Sequence, residues 1–103
     1  MNKLQKKVDT FVKEKNLDAD IAARTLDLVS EIGEIAKEVL KGSNYGEIEF
    51  KKTEDWENEI GDVLFSLICL ANQTGVNLEN SLNTALEKYE KRFESKGDVG
   101  SGR

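Results

Sequence analysis

The sequence predicts an all-α protein built as a four-helix bundle. Proline is absent from its 103 residues, so no pyrrolidine ring interrupts a long helix. Apolar residues recur at helical spacing in four stretches, separated by residues that favour helix ends and turns. Charged residues make up 34% of the chain, above the usual value of about 25%. This composition suits helices with one buried stripe and one solvated face.

The first helix is predicted over residues 2–15 and the second over residues 19–41. Asp18 is a suitable N-cap for the second helix, and Gly42 is a suitable residue to end it. Each helix has apolar residues on one face. In the first these are Leu4, Val8, Phe11 and Val12, and in the second they are Ile21, Ala22, Leu28, Val29, Ile32, Ile35, Ala36 and Val39.

Residues 43–52 lose the helical pattern, which predicts a loop that could carry specificity. The third helix is predicted to run from Thr53, its N-cap, to about Thr74, with Gly75 ending it.

The fourth helix is predicted from Leu78 to about Ser95, with Asn77 as its N-cap. Its inward face is expected to contain Leu78, Leu82, Ala85, Leu86, Tyr89 and Phe93. Residues 1–96 would therefore form one helical domain. Residues 97–103, which are rich in glycine, are predicted to be a mobile tail.

Composition excludes several classes of function. The net charge of -5 disfavours nucleic-acid binding, because phosphate backbones attract basic surfaces. No apolar stretch reaches the roughly 20 residues that span a bilayer, and no secretory signal is recognisable. We therefore expect a cytoplasmic protein without a membrane partner. Histidine is absent and Cys69 is the only cysteine, so Cys69 is expected to be a packing residue and any chemistry must depend mainly on carboxylates and lysines.

Two short phrases, residues 31–34 and 59–62, repeat the order Glu-Ile-Gly-acid with 24 intervening residues. Side chains three residues apart share a helix face, so each phrase presents two carboxylates in one direction. The glycine in each phrase disfavours helix by about 1 kcal/mol relative to alanine, which indicates a close helix approach or space for a ligand. If the second and third helices pack antiparallel, four carboxylates converge: Glu31, Glu34, Glu59 and Asp62.

Asp62 stands in the most apolar stretch of the chain, residues 60–71, where Ser66 is the only other residue that is neither apolar nor glycine. Such a helix is expected to be buried, and a buried carboxylate needs a cation beside it. One interpretation is a basic side chain across the bundle, with the three glutamates on solvated faces. The other is a hard divalent cation, Mg²⁺ or Mn²⁺, which carboxylates bind without histidine or thiolate. The second helix favours the metal, since acids alone follow one another along one face: Asp27, Glu31, Glu34 and Glu38.

The paired acids are continued by Asp62-Val63-Leu64-Phe65 and followed by Lys88-Tyr89-x-x-Arg92-Phe93. With these motifs the chain resembles the MazG-type all-α nucleoside triphosphate pyrophosphohydrolases over about residues 20–95. The resemblance implies a MazG-like bundle assembled as a homodimer or homotetramer. It also implies Mg²⁺-dependent hydrolysis of a (d)NTP to (d)NMP and pyrophosphate, in nucleotide-pool housecleaning.

By motif position, the resemblance assigns all four acids to metal binding. For a metal-activated water, we expect Glu31 or Glu34 to accept its proton. The resemblance assigns Lys88 and Arg92 to the phosphates, although both could instead belong to an exposed basic face. Asn72 falls where relatives often carry Asn or Asp, and it is expected to contact the sugar or base of the substrate.

One position departs from the family pattern. Many relatives carry Asn two residues before the lysine of the closing motif, where this chain has Leu86, which puts sugar or base recognition in doubt but not the metal site. Two other functions stay open. A phosphoribosyl-ATP pyrophosphatase would share the paired acids, although its usual A-D-L-x-x-H continuation is missing. A nonenzymatic helical interaction module would bind no cation. Whichever function applies, the apolar third helix favours self-association of the chain.

Overall fold

The computed structural model describes residues 2–96. This range contains four α-helices, α1 (Lys3–Glu14), α2 (Ile21–Gly42), α3 (Trp56–Gln73) and α4 (Leu78–Lys96), and no strand. The predicted all-α, four-helix class is confirmed. The predicted tail, residues 97–103, lies outside the described range. Within that range, no helix combines the length and the apolar character that a membrane span requires.

Helices α2 and α3 form the main packed pair. Near the end of α2, Glu38 contacts Thr53, which precedes α3. Nearer the middle of α2, Glu31 lies beside Glu59 and Asp62 of α3. Residue numbers therefore rise along one helix as they fall along the other, and the pair is antiparallel. The buried core lies in the second half of α3, at Ile68, Cys69 and Ala71, so the expected burial of Cys69 is confirmed.

Helix α1 packs against α3, also in an antiparallel direction. At its carboxyl end, Phe11 meets Phe65 edge to face, with ring centroids 6.2 Å apart. At its amino end, Gln5 donates a hydrogen bond to Asn72. An apolar contact and a polar contact thus hold the two ends of α1 to the same helix.

Helix α4 leaves the other three helices after its first turns. Its start matches the prediction, because Asn77 accepts a hydrogen bond from the Asn80 amide at 3.1 Å. The prediction of an inward apolar face is wrong for the single chain, since packing of α4 against the described parts of the other helices is slight. Four of the predicted inward residues are between 37% and 58% exposed: Leu82, Leu86, Tyr89 and Phe93.

Two predicted helix caps are wrong. Helix α2 is capped by Asp20 rather than Asp18, because the Asp20 carboxylate accepts from the Ala23 amide at 2.7 Å. Helix α3 begins at Trp56, later than predicted. The Thr53 hydroxyl does not cap it and instead donates to the buried Glu38 carboxylate at 2.6 Å. This bond to a charged acceptor directs the Thr53 side chain toward α2 rather than toward the first turn of α3.

Gly42 allows the chain to pass close to the end of α2. It is the last helical residue, and a Cβ atom built on it would lie 2.4 Å from the Lys51 carbonyl oxygen and 2.7 Å from the Phe50 ring. The left-handed residues come later in the turn, at Asn44, Tyr45 and Gly46. Gly42 is therefore needed for the close approach of the Lys51 backbone and the Phe50 ring, and not for a left-handed backbone conformation.

Candidate metal centre

Three of the four predicted metal ligands lie together. Glu31 of α2 and Glu59 and Asp62 of α3 each place one carboxylate oxygen so that all three oxygens lie within 4.8 Å of one another. Glu59 and Asp62 are three residues apart and share a face of α3. Because α2 runs antiparallel to α3, Glu31 completes the group from the facing helix. Two rigid helices thus position this acidic cluster.

The electrostatics of the cluster are concentrated at Glu59. Burial raises the pKa of its carboxyl group, and the negative charges of Asp62, Glu34, Glu31 and Glu38 raise it further. Like charges at this spacing disfavour ionisation unless a cation joins them. The carboxylates of the cluster therefore repel one another, and a bound divalent cation would offset this repulsion.

Asp62 is exposed, so the prediction that it would be buried is wrong. Its apolar neighbours Ile60, Leu64 and Leu67 are themselves exposed in the single chain. The apolar sequence of α3 indicated correctly that this helix has more apolar surface than one chain covers. The sequence did not indicate which residues of α3 would be covered by the same chain.

Glu34 stands one turn along α2 from Glu31 and is not part of the three-oxygen group. Its carboxylate lies 3.4 Å from the Lys37 ammonium. Its charge still contributes to the raised pKa of Glu59, so it lies near the cluster. Its predicted role as a metal ligand or base stays a prediction.

Gly33 and Gly61 do not mediate a close approach of the two helices. A Cβ atom built on either residue would meet nothing within 4 Å. The interpretation that these glycines let α2 approach α3 is wrong within the chain. The other interpretation, open space beside the acids, agrees with the structure.

Lys88 and Arg92 lie on α4 and do not form an ion pair with any described carboxylate. Both contact the ring of Tyr89, with the Lys88 ammonium 5.1 Å and the Arg92 guanidinium carbon 6.0 Å from its centroid. The Nη1 atom of Arg92 is buried without a hydrogen-bond partner among the described residues. The single chain does not bring these two cations to the acidic cluster, and their predicted role stays a prediction.

Asn72 has a structural role in this chain. Its Oδ1 atom accepts from Gln5 Nε2 at 2.9 Å, and its Nδ2 atom donates to the Gln5 carbonyl at 3.0 Å. Asn72 also lines a cavity of about 260 Å³ between α1, α2 and α3, with Arg24 and Cys69 among the other lining residues. Its predicted contact with substrate stays a prediction.

Gln5 and Arg24 are among the buried polar residues that the sequence did not lead us to expect. Arg24 is 7% exposed, and its guanidinium donates to the Leu17 carbonyl while Nε has no partner among the described residues. Gln5 is 1% exposed. Each interrupts an apolar face, since Arg24 stands four residues before Leu28 and Gln5 three residues before Val8. A polar residue on the apolar face was the signal that could have identified both.

Comparisons with known proteins agree with this arrangement. The family model of the MazG nucleotide pyrophosphohydrolase domain matches residues 21–95, a range that contains all four acids. YpjD, an uncharacterised protein of Bacillus subtilis (strain 168), is 38% identical over 96 residues, which cover 89% of this chain and 85% of YpjD.

Two crystal structures are similar to the fold of this chain over most of its length. That of YPJD from Bacillus subtilis has a TM-score of 0.73 and 36% identity, covering 89% of this chain and 94% of that one. That of a Bacillus-conserved MazG protein, described as a nucleotide pyrophosphohydrolase, has a TM-score of 0.70 and 34% identity, covering 84% of both chains. The chain therefore belongs to the MazG nucleotide pyrophosphohydrolase family, whose members hydrolyse phosphoric anhydrides.

Proposed function

We propose that this chain hydrolyses a (d)NTP to the (d)NMP and pyrophosphate with Mg²⁺, in nucleotide-pool housecleaning. The observation that carries the proposal is the cluster of Glu31, Glu59 and Asp62, whose ligand oxygens lie within 4.8 Å of one another. Membership of the family supports the reaction class. The (d)NTP substrate and the Mg²⁺ ion are proposals that go beyond membership of the family.

The donor set fits Mg²⁺ or Mn²⁺. Its ligands would be three carboxylates, with no histidine or thiolate among them, and hard oxygen ligands are the ones that these two cations prefer. The raised pKa of Glu59 fits a site whose charge a cation would neutralise. When bound, the cation would offset phosphate charge and acidify a water molecule.

A glutamate in or beside the cluster would accept the proton of the attacking water. Glu34 stands one turn from Glu31, and one of these two glutamates accepts the proton of the attacking water. A glutamate that is not held as a ligand is the better base. Because Glu34 lies outside the three-oxygen group, we propose it as the base, with Lys37 near its carboxylate at 3.4 Å.

Lys88 and Arg92 are proposed to bind the phosphates through charge-assisted hydrogen bonds. Neither cation forms an ion pair with a described carboxylate, which leaves both charges available to a phosphate. Because α4 packs only slightly on its own chain, these cations would reach an acidic cluster in an assembled homodimer or homotetramer.

The nucleoside is proposed to occupy the cavity between α1, α2 and α3. Arg24 stands seven residues before Glu31, and Cys69 stands seven residues after Asp62. At 1.5 Å per residue, both lie about 10 Å along their helices from the cluster. This separation suits a substrate with its triphosphate at the acids and its sugar and base beside Asn72.

The test is a panel of canonical and damaged (d)NTPs assayed with Mg²⁺ for pyrophosphate and for orthophosphate separately. We expect pyrophosphate and the monophosphate in equal amounts from at least one substrate, and no release after Mg²⁺ is chelated. Release of orthophosphate alone, or no hydrolysis of any substrate, would contradict the proposal.

A further inference from the structure

Gln5 has the most deeply buried side chain of the described residues, at 1% exposed. Its Nε2 atom donates to Asn72 Oδ1 at 2.9 Å and to the Val76 carbonyl at 2.7 Å. Its Oε1 atom accepts from the Leu78 amide at 2.8 Å. Both N–H groups and the oxygen of the side-chain amide are therefore engaged.

The three bonds hold the corner between α3 and α4. Val76 follows the end of α3, and Leu78 is the first residue of α4. The Leu78 N–H is one of the donors that a helix leaves free at its amino end. Gln5 supplies its acceptor from α1, so one side chain fixes the chain on both sides of Asn77.

Helix α4 meets its own chain close to this corner. The first turns of α4 meet the rest of the chain in a groove that includes Leu4, Leu64, Leu78 and Leu82. Farther along, Leu86 and Phe93 are exposed. The helix is therefore anchored within its own chain at its amino end, where the bonds of Gln5 lie.

A small change of angle at this anchor would be amplified along the helix. Lys88 lies ten residues and Arg92 fourteen residues beyond Leu78, about 15 Å and about 21 Å along the axis. A tilt of about 10° would move them by about 2.6 Å and about 3.7 Å. Displacements of this size break hydrogen bonds to a phosphate, whose length is about 3 Å.

We propose that Gln5 is a positioning residue, which sets the direction of α4 and thereby the place where Lys88 and Arg92 meet the substrate phosphates. The inference rests on the proposed function of these two cations. The acidic cluster lies on α2 and α3, so loss of the Gln5 side-chain bonds leaves the affinity for Mg²⁺ unchanged and weakens binding of the nucleotide.

The test compares Gln5→Leu and the milder Gln5→Asn with Phe11→Ala. Phe11 also holds α1 to α3, but it does not contact the corner through any described hydrogen bond, so Phe11→Ala controls for general destabilisation. We expect both Gln5 variants to raise the KM for nucleotide, by about tenfold for Gln5→Leu, and to weaken binding of inorganic triphosphate, which lacks the sugar and base placed beside Asn72, while Phe11→Ala leaves both unchanged. Calorimetric affinity for Mg²⁺ alone should equal that of the wild type in all three.

A second readout does not depend on activity. Hydrogen exchange of the Leu78 amide, followed by NMR, should accelerate about tenfold or more in the Gln5 variants and stay slow in Phe11→Ala. Unchanged exchange at Leu78, or a KM that changes equally in the Gln5 and Phe11 variants, would overturn the inference. Absence of hydrolysis by the wild type would instead contradict the proposed function, and the exchange result would still show whether Gln5 holds the start of α4.

Discussion

A hydrogen bond between Thr53 and Glu38 ties the loop that follows α2 back to α2 itself. The Thr53 hydroxyl donates to Glu38 Oε1 at 2.6 Å, and the Lys41 ammonium lies 3.3 Å from Glu38 Oε2. Glu38 is 4% exposed, and both oxygens of its carboxylate are engaged. The Thr53 hydrogen bond lowers the pKa of Glu38, with burial opposing it and Lys41 adding to it. This contact fixes where the chain enters α3 and hence where Glu59 and Asp62 lie.

Replacing Thr53 with valine should raise the pKa of Glu38 and destabilise the fold at neutral pH. A carboxyl group whose folded pKa is lowered stabilises the protein above its unfolded pKa, and this contribution is lost as pH falls through the folded pKa. The difference in unfolding free energy between wild type and Thr53→Val should therefore be largest at neutral pH and shrink on acidification. Urea unfolding at a series of pH values measures it.

Thr53→Ser keeps the hydroxyl and serves as the matched control, which should retain the pH dependence of the wild type. A difference between wild type and Thr53→Val that stays constant from neutral to acid pH would show that the hydrogen bond does not act through the ionisation of Glu38.

Gly42 and Gly33 should respond to alanine in opposite directions. Gly42→Ala would place a Cβ atom 2.4 Å from the Lys51 carbonyl and should lower the free energy of unfolding by about 1–3 kcal/mol. Gly33→Ala meets nothing within 4 Å and should raise it by about 0.5–1 kcal/mol. Denaturant unfolding of both variants checks the pair. Destabilisation by Gly33→Ala would show that the space beside this residue is filled in solution.

The apolar residues left exposed on α2, α3 and α4 should be covered by a second copy of the chain. Exposed apolar side chains occur on all three helices: Leu26, Val29, Ile32, Ile60, Leu64, Leu67, Leu82, Leu86 and Phe93. Sedimentation at micromolar concentration should give a dimer or tetramer, and Phe93→Glu should shift it toward smaller species. A wild-type mass of 11.5 kDa would contradict the proposed assembly.

The cations of α4 should affect substrate binding selectively. Lys88→Ala and Arg92→Ala each remove a donor to a phosphate, and a charge-assisted hydrogen bond contributes about 1.5–3 kcal/mol. We therefore expect kcat/KM to fall by about 10- to 100-fold in each variant. Lys91→Ala, which removes an exposed lysine of the same helix, is the control and should leave kcat/KM unchanged. Equal losses in all three variants would indicate a general charge effect.

The sequence was most informative where local rules decide the structure. Helix periodicity identified all four helices, and the three-residue spacing of Glu59 and Asp62 placed both on one face. The exposure of Asp62 in the single chain could not be predicted, because an apolar helix does not reveal whether its own chain or another copy covers it. The predicted N-cap at Thr53 is wrong because the Thr53 hydroxyl bonds Glu38, a residue distant in sequence that local patterns do not identify as its partner. Gln5 and Arg24 were visible only as polar interruptions of apolar faces.

The acidic cluster is tested most directly by Asp62→Asn, measured as Mg²⁺-dependent pyrophosphate release alongside Glu57→Gln. Both changes remove one negative charge from α3, but Glu57 lies outside the group of three converging oxygens. We expect Asp62→Asn to lower kcat/KM by about a hundredfold or more with helicity unchanged, and Glu57→Gln to retain wild-type activity. Full activity of Asp62→Asn at wild-type Mg²⁺ concentrations would contradict the assignment of this cluster as the metal centre.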